Sequence, residues 1–235
     1  MIECHDLTKK YGSFKAVDNI DLEAASGEIT VLLGPNGAGK STTIKSIVGL
    51  LQFEGKIKIC GYANKTENAK RSFGYIPEAP VLYDMLSVDE HVEFIAAAYQ
   101  IKDYRPLAEK YYELFDLSEK KKTIVKNLSK GMKQKVSMLL ALVLSPKVLL
   151  VDEPMVGLDP ASIEEVLKLL VELKNKGVAV LISTHIIDVI DEIWDKAYIM
   201  NKGKIVRTVR RDDLHEESLK EIFFACTGEQ HEHHL

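Results

Sequence analysis

The sequence predicts an α/β fold with a mostly parallel sheet, and three observations predict it. Two short apolar runs, 148–151 and 178–182, are typical of strands buried on both faces, and a long helical segment from Pro160 separates them. The first third of the chain reads as short strands separated by turns, which indicates a β-rich edge. Residues 87–144 instead carry apolar side chains at helical spacing, which indicates a helical insert.

The individual elements follow from local signals. Turn residues, Ser26-Gly27 and Gly55, separate strands predicted at 14–22, 29–33 and 56–60. In the helical insert, apolar residues recur at Val88, Val92, Ile95 and Tyr99, and again at Leu107, Tyr111, Leu114 and Phe115. Ser145-Pro146 ends the insert, and Ser218 followed by Glu221 predicts a capped amphipathic helix.

The composition is that of an ordinary globular chain. Of the 235 residues, 46% are hydrophobic and 28% are charged, which is enough to bury a substantial core. The formal net charge is −4 and the pI is about 6.0, so the chain lacks the global positive field that drives nucleic-acid binding. We therefore expect no nucleic-acid partner.

Cysteine use and hydropathy predict the compartment. Cys4, Cys60 and Cys226 are odd in number and have neither metal-like nor redox-like spacing, so free thiols in a reducing cytoplasm are expected. No window approaches the ~20 apolar residues that a membrane helix needs. The first residues do not read as a secretory signal.

The first chemical motif is a phosphate-binding loop, Gly34-Pro35-Asn36-Gly37-Ala38-Gly39-Lys40-Ser41, between the strand at 29–33 and a helix beginning near Lys40. Backbone N–H groups of such a loop surround the β-phosphate, Lys40 reaches the β- and γ-oxygens, and the Ser41 hydroxyl binds Mg²⁺. An accidental glycine-rich turn would not explain the flanking strand and helix. The candidate nucleotide-binding residues here are Gly34, Asn36, Gly37, Ala38, Gly39, Lys40, Ser41 and Thr42.

Two carboxylates follow the apolar strand at 148–151. Ligands of open α/β sheets bind at the carboxyl ends of the strands, which is where Asp152 and Glu153 stand. We expect Asp152 to hold Mg²⁺ through its water shell and Glu153 to act as general base on the attacking water. Acidic residues after a strand are also common as helix caps, but the phosphate loop favours the catalytic interpretation.

A third motif distinguishes among phosphate-loop families. Leu128-Ser129-Lys130-Gly131-Met132-Lys133-Gln134 resembles the Leu-Ser-Gly-Gly-Gln signature of the ABC ATPase family, with Ser129 and Gly131 matching and Lys130 and Met132 departing from it. The departures resemble those of an exporter-related subgroup. The resemblance covers residues 2 to about 228, and it implies that Ser129, Lys130 and Gly131 bind the γ-phosphate of ATP held by a second subunit. An ordinary capped helix from Lys130 to Leu144 is compatible with this role.

The resemblance assigns further residues to the nucleotide site. Tyr11 matches the aromatic residue on which adenine stacks, and Val17 is expected on the same face, although a lone tyrosine is more often a packing residue. Asp159 matches a loop that crosses the dimer interface, and it also reads as the N-cap of the helix from Pro160.

Two more residues are expected near the γ-phosphate. His185 matches the histidine that contacts this phosphate and positions the base. Glu78 stands where the family most often has a glutamine that touches Mg²⁺ and the water. A carboxylate there could still bind Mg²⁺, but its charge would repel the phosphates.

The resemblance also implies the organisation of the chain. It implies a phosphate-loop NTPase core at about 1–78 and 147–228, with an antiparallel β edge, a helical subdomain at about 79–146 and a tail at 229–235. The histidine-rich tail is expected to be a disordered terminus or an added remnant.

The expected function is ATP hydrolysis coupled to transport. The expected cofactors are ATP and Mg²⁺, and the expected assembly is a homodimer or heterodimer of ATPase subunits. The permease is expected to be a separate membrane-spanning chain, and the resemblance implies that it docks at 79–86, including Tyr83 and Met85. An apolar loop tucked into its own core is the alternative. The protein would then lie peripherally on the inner face of the cell membrane.

The subgroup resemblance favours export. Substrate uptake and a non-transport ABC ATPase, as in DNA repair or translation, are the alternatives. A phosphate-loop kinase or GTPase would leave the signature unexplained, and the chain lacks the Asn-Lys-x-Asp motif that reads guanine.

Overall fold

The computed structural model describes residues 1–155, 157–214 and 217–228, so the predicted tail at 229–235 lies outside the described residues. The strands are β1 (Ile2–Tyr11), β2 (Phe14–Ala24), β3 (Ile29–Leu33), β4 (Glu54–Ile59), β5 (Tyr62–Ala63), β6 (Phe73–Ile76), β7 (Val148–Asp152), β8 (Ala179–Thr184), β9 (Lys196–Asn201) and β10 (Lys204–Arg210). The helices are α1 (Lys40–Ile47), α2 (Glu67–Lys70), α3 (Val88–Tyr99), α4 (Arg105–Leu114), α5 (Lys130–Leu142), α6 (Pro160–Asn175), α7 (Ile187–Ile190) and α8 (Leu219–Thr227).

The strands form two sheets. The larger sheet has the order β10-β9-β3-β8-β7-β6; its neighbours pair in parallel except for β10, which is antiparallel to β9. The smaller sheet has the order β2-β1-β4-β5 and is antiparallel. The predicted α/β class, the mostly parallel sheet and the antiparallel β edge are thereby confirmed.

Both faces of the parallel sheet are buried, which explains its continuous apolar runs. In β3, Val31 and Leu33 belong to the larger apolar cluster, which the helical insert and α6 also form, whereas Leu32 packs into a second cluster with α1 and the antiparallel sheet. Successive side chains of a strand point to opposite faces, so every position of β3 needs an apolar or small side chain.

The helical insert contains three α-helices, α3, α4 and α5, and two short 3-10 helices at Ser118–Lys120 and Val125–Asn127 lie between α4 and α5. Ser87 begins α3 with a capping box that includes Glu90, and Ser129 caps α5 by accepting the amide of Met132. Helix α5 packs closely on β6 at Gly74, where a Cβ atom would lie only 2.7 Å from the carbonyl oxygen of Ala141. The capped helix predicted after Ser218 is likewise observed as α8.

Among the described residues, none of the helices combines the length and the apolar character needed to cross a membrane.

Candidate functional site

The site forms where the carboxyl ends of three parallel strands meet. Strand β3 pairs with β8, and Leu33 lies beside Thr184; strand β7 pairs with the other edge of β8, and Asp152 lies beside Ser183. A cavity of about 520 Å³ opens above these ends. It is lined by Tyr11, Phe14, Ala16, Asn36, Gly37, Gly39, Lys40, Ser41, Thr42, Glu78, Glu153 and His185.

The loop between β3 and α1 brings its backbone close to the cavity. Gly37 and Gly39 have positive φ values of 80° and 108°, and a Cβ atom on Gly39 would lie 2.5 Å from the carbonyl oxygen of Ala16. Gly39 is the N-cap residue of α1, so the unpaired amides of the first helical turn lie at this point. Gly34 and Ala38 support the loop from within the fold instead of lining the cavity. The arrangement is suited to an anion such as a phosphate.

Glu153 lies between two basic side chains. Its Oε1 is 3.3 Å from Nζ of Lys40, and its Oε2 is 3.0 Å from Nδ1 of His185. Lys40 also donates to the carbonyl oxygen of Gly34 at 2.7 Å. Only 9% of the Glu153 side chain and 5% of the Lys40 side chain are exposed, so this ion pair is almost fully removed from bulk water. The carboxylate is therefore held in one place at the cavity wall.

Asp152 accepts hydrogen bonds from two serine hydroxyls, and both go to the same carboxylate oxygen. Its Oδ1 accepts from Ser41 Oγ at 2.9 Å and from Ser183 Oγ at 2.6 Å. Ser183 Oγ in turn accepts the amide of Glu153 at 3.2 Å. Within the described residues, the buried Oδ2 of Asp152 has no hydrogen-bond partner.

The free carboxylate oxygen next to the Ser41 hydroxyl fits a Mg²⁺ ion. Magnesium is usually held by one or two protein carboxylates, with phosphate oxygens and water completing its octahedron. The described residues contain no group of three or more His, Cys, Asp and Glu side chains suited to a metal, so a cage made of such side chains is not present there. A free carboxylate oxygen beside a serine hydroxyl is a donor set that suits magnesium together with a phosphate ligand.

Glu78 lines the cavity after the end of β6 and is exposed. Its neighbour Tyr75 has a buried hydroxyl without a partner in the described residues. Burial, and then the negative charges of Asp152 and Glu78, raise the pKa of Tyr75 above its ordinary value. Tyr75 was not anticipated from the sequence, because a tyrosine in a short strand carries no motif.

The rim of the cavity is aromatic. Tyr11 and Phe14 pair across the β1–β2 turn and are 50% and 66% exposed, and Ala16 lies beside them on the cavity wall. The structure corrects the expectation for Val17, which has no exposed surface and packs in the cluster under the antiparallel sheet. Along β2, alternate side chains face opposite sides, which places Ala16 rather than Val17 toward the cavity.

The signature residues lie outside this cavity. Ser129, Lys130 and Gly131 form the N-terminus of α5, and a Cβ atom on Gly131 would lie 2.9 Å from the carbonyl oxygen of Gly157. Asp159 is the N-cap of α6, as the sequence predicts, and hydrogen bonds from Ser162 hold the pKa of Asp159 below its usual value. The signature and the loop before α6 are therefore adjacent to each other, although neither lines the cavity of its own chain.

Known proteins resemble this chain in sequence and in structure. The family model described as ABC transporter matches residues 17–156. The chain is 34% identical to the ABC-type transporter ATP-binding protein EcsA of Bacillus subtilis (strain 168), over 99% of both chains. It is also 34% identical to the lipopolysaccharide export system ATP-binding protein LptB of Haemophilus influenzae (strain ATCC 51907 / DSM 11121 / KW20 / Rd), over 98% of both chains.

Solved structures agree with these relatives. An ATP-binding subunit of an ABC transporter superimposes with a TM-score of 0.91 at 35% identity, covering 96% of this chain and 99% of that chain. A dimeric ATP-binding cassette bound to ADP and Pi superimposes with a TM-score of 0.81 at 26% identity, covering 89% of this chain and 98% of that chain. These similarities agree with the phosphate loop and with the two carboxylates after β7. The chain belongs to the ABC transporter family and is an ATP-binding, ATP-hydrolysing subunit of an ABC transporter.

Proposed function

We propose that this subunit hydrolyses Mg-ATP between two head-to-tail cassettes and thereby drives export through a separate permease. The observation that carries the proposal is the position of Glu153, which is held between Lys40 and His185 at the wall of the cavity. A carboxylate fixed in this way can accept a proton from a water molecule in the cavity.

Each side chain at the cavity has a separate task in this reaction. Glu153 takes the proton of the attacking water, and His185 keeps the carboxylate oriented. Lys40 moves its contact from Gly34 to the phosphate oxygens, where its charge stabilises the transition state. Asp152 and Ser41 would hold Mg²⁺, which would supply positive charge against the phosphates when bound. Tyr11 and Phe14 offer aromatic surface for the adenine ring.

The location of the signature supports a head-to-tail dimer of two identical or two related cassettes. Two neighbouring segments lie outside the cavity of their own chain, and they contain Ser129, Lys130 and Gly131 in one and Asp159 in the other. The N-terminus of α5 offers unpaired amides and the positive end of a helix dipole, and Lys130 adds a charge. In a second cassette these groups would face the γ-phosphate, as in the family's sandwich arrangement.

An exposed apolar segment supports contact with a permease. We call residues 79–86 the docking segment. Val81, Tyr83 and Met85 are 88%, 59% and 73% exposed, and Phe94 of α3 beside them is 48% exposed. Such a group of exposed apolar side chains is typical of an interaction surface. The segment follows Glu78 directly, so a permease helix bound here would contact the chain close to the nucleotide, at the inner face of the membrane.

The proposed direction of transport rests on the signature and on one relative. The Ser-Lys-Gly-Met form resembles an exporter-related subgroup, and one relative named above belongs to an export system. These two observations favour export over uptake.

We expect Glu153→Gln to trap the closed dimer, because the amide cannot accept the proton of water. ATP hydrolysis should fall by roughly 10²–10⁴-fold, whereas Mg-ATP should shift the solution mass from monomer to dimer. The measurement is light scattering after size-exclusion chromatography with and without Mg-ATP. Glu164→Gln, on the exposed face of α6, is the matched control and should behave as the unmodified protein. A Glu153→Gln monomer that fails to bind ATP would contradict the proposed site.

Ser183→Ala should lower hydrolysis more than ATP binding, since the Ser183 hydroxyl donates to Asp152 and accepts from the Glu153 amide. In the variant, that amide keeps its bond to the carbonyl oxygen of residue 183, and Asp152 loses this donor. Loss of a hydrogen bond to a charged group costs about 1.5–3 kcal/mol, so kcat should fall roughly tenfold or more while ATP affinity changes little. The control is Ser137→Ala in α5, which removes a buried hydroxyl away from the cavity. Equal kcat values for the two variants would argue against this role.

Glu78→Gln tests whether the carboxylate takes part in Mg²⁺ binding. ATP binding should persist, and the Mg²⁺ concentration for half-maximal activity should rise roughly threefold or more because a hard oxygen ligand with negative charge is lost. A Mg²⁺ titration of ATPase activity, with Glu164→Gln as control, measures this effect. An unchanged titration would remove Glu78 from the metal site.

Charged substitutions in the docking segment should break the complex with the permease without affecting the isolated ATPase. A photo-crosslinking amino acid at position 85, tested in membranes of cells that produce the protein, should crosslink to a membrane-spanning partner. This partner is then reconstituted in lipid vesicles for binding measurements. Tyr83→Asp and Met85→Asp should abolish binding to this partner, because an uncompensated charge would be buried. Leu50→Asp, which changes another exposed apolar residue, is the control. Intact binding by both docking-segment variants would eliminate this surface.

A further inference from the structure

A buried histidine lies directly under the docking segment. His91 of α3 is only 2% exposed. Its Nδ1 lies 2.8 Å from the carbonyl oxygen of Ser87, and its Nε2 lies 2.9 Å from the backbone nitrogen of Tyr83. Both ring nitrogens are therefore used, one within the helix and one toward the segment.

The two partners fix the form of the imidazole. A carbonyl oxygen can only accept a hydrogen bond, so Nδ1 carries the proton and donates to Ser87. An amide N–H can only donate, so Nε2 is unprotonated and accepts from Tyr83. The neutral Nδ1–H tautomer satisfies both groups, and no apolar side chain could replace it without leaving the Tyr83 amide unpaired.

The bond to His91 ties the Tyr83 backbone to α3, whereas the Tyr83 carbonyl oxygen accepts the amide of Leu86 within the segment at 3.1 Å. The amides of Val125 and Lys126 donate to the carbonyl oxygens of Leu86 and Asp84, which attaches the far end of the segment to the chain before α5. The amide of Tyr83 is held by the helix α3 side chain instead.

The Tyr83 ring lies against two side chains of α3. Its centroid is 6.0 Å from the ring of His91, and it meets the ring of Phe94 edge-on at 5.5 Å. The ring nevertheless remains more than half exposed. The position of its backbone therefore determines how the aromatic group is presented at the surface.

We propose that His91 is a positioning residue for permease coupling: by accepting the amide of Tyr83 at Nε2, it fixes the docking segment in the conformation that the permease contacts. The inference rests on the docking role proposed above. A histidine that served only to fill the core would not depend on the acceptor at Nε2, and this difference can be tested.

Two isosteric variants separate the ring nitrogens. In His91→Gln the side-chain amide oxygen reaches the position of Nε2 and can accept from Tyr83. In His91→Asn the shorter amide reaches only the position of Nδ1, so the bond to Ser87 is kept and the bond to Tyr83 is lost. His5→Asn, at an exposed histidine of β1, is the control for the substitution itself.

Hydrogen exchange of the Tyr83 amide, followed by NMR in the isolated protein, is the first readout. We expect exchange in His91→Asn to be roughly threefold to tenfold faster than in the unmodified protein, and His91→Gln to retain the protection. Basal ATPase activity should be unchanged in both variants, because His91 is not part of the cavity. Stimulation of ATPase by the crosslink-identified permease in vesicles should be lost in His91→Asn and rescued in His91→Gln.

The outcomes separate this inference from the docking proposal. The role of Nε2 is overturned if the Tyr83 amide of His91→Asn remains protected from exchange. It is also overturned if both variants lose protection and stimulation equally. Normal stimulation of His91→Asn, with Tyr83→Asp inactive, overturns the positioning role and leaves docking intact. If Tyr83→Asp is also stimulated normally, the docking proposal fails and the coupling role of His91 fails with it, whatever the exchange pattern.

Discussion

The site depends on the parallel pairing of β8 with β3 on one edge and with β7 on the other. This pairing sets Thr184 beside Leu33 and Ser183 beside Asp152, so the phosphate loop, the two carboxylates and His185 emerge at the same edge of the sheet. Each residue of a strand advances the chain by about 3.3 Å, and a slip by one residue turns its side chains to the other face. The buried apolar contacts on both faces of these strands prevent such a slip.

The same edge of the sheet holds a buried ion pair. Lys40 and Glu153 form an almost fully buried pair, which seldom stabilises a fold because the lost hydration of both charges offsets their attraction. Glu153 also has a φ of 48°, in the left-handed region that most side chains avoid. Unfavourable features of this kind are typical of functional sites, where the rest of the structure imposes them. Here the imposed backbone geometry places the Glu153 carboxylate between Lys40 and His185.

Elements with strong local signals were predicted well from the sequence. Strand β3 was predicted with its observed bounds, and the helix start at Lys40 and the caps at Ser129, Asp159 and Ser218 all agree with the structure. These signals reside in a few neighbouring residues, so tertiary contacts do not override them.

Strands β1, β6 and β10 have no such signal. In β1, Asp6 has a positive φ and the register with β2 shifts after Cys4, so the alternation of side chains that would predict a strand is interrupted. Strand β6 has only four residues, and the edge strand β10 carries several exposed side chains. Their positions depend on pairing with distant segments rather than on their own sequence.

The same reason limits the prediction of the site. Motifs indicated Lys40, Asp152, Glu153 and His185, and the structure brings all four to one edge. Ser183 carries no motif, and its bond to Asp152 follows only from the register of β7 with β8. The orientation of Val17 depended on which face of β2 meets the loop, which a single sequence does not specify.

The cavity and the docking segment are joined by a short and stiff stretch of chain. Glu78 and Tyr83 are five positions apart in the sequence, a span of at most about 18 Å, and Pro80 has a restricted φ. The loop is also bonded to the signature helix, because Gln134 of α5 donates to the carbonyl oxygen of Pro77 at 3.4 Å. Tyr83 is fixed to α3 through His91 at the other end. A displacement of Glu78 would therefore bend the few residues between these two bonds or move α3 and α5 with it, and both responses reach the docking segment.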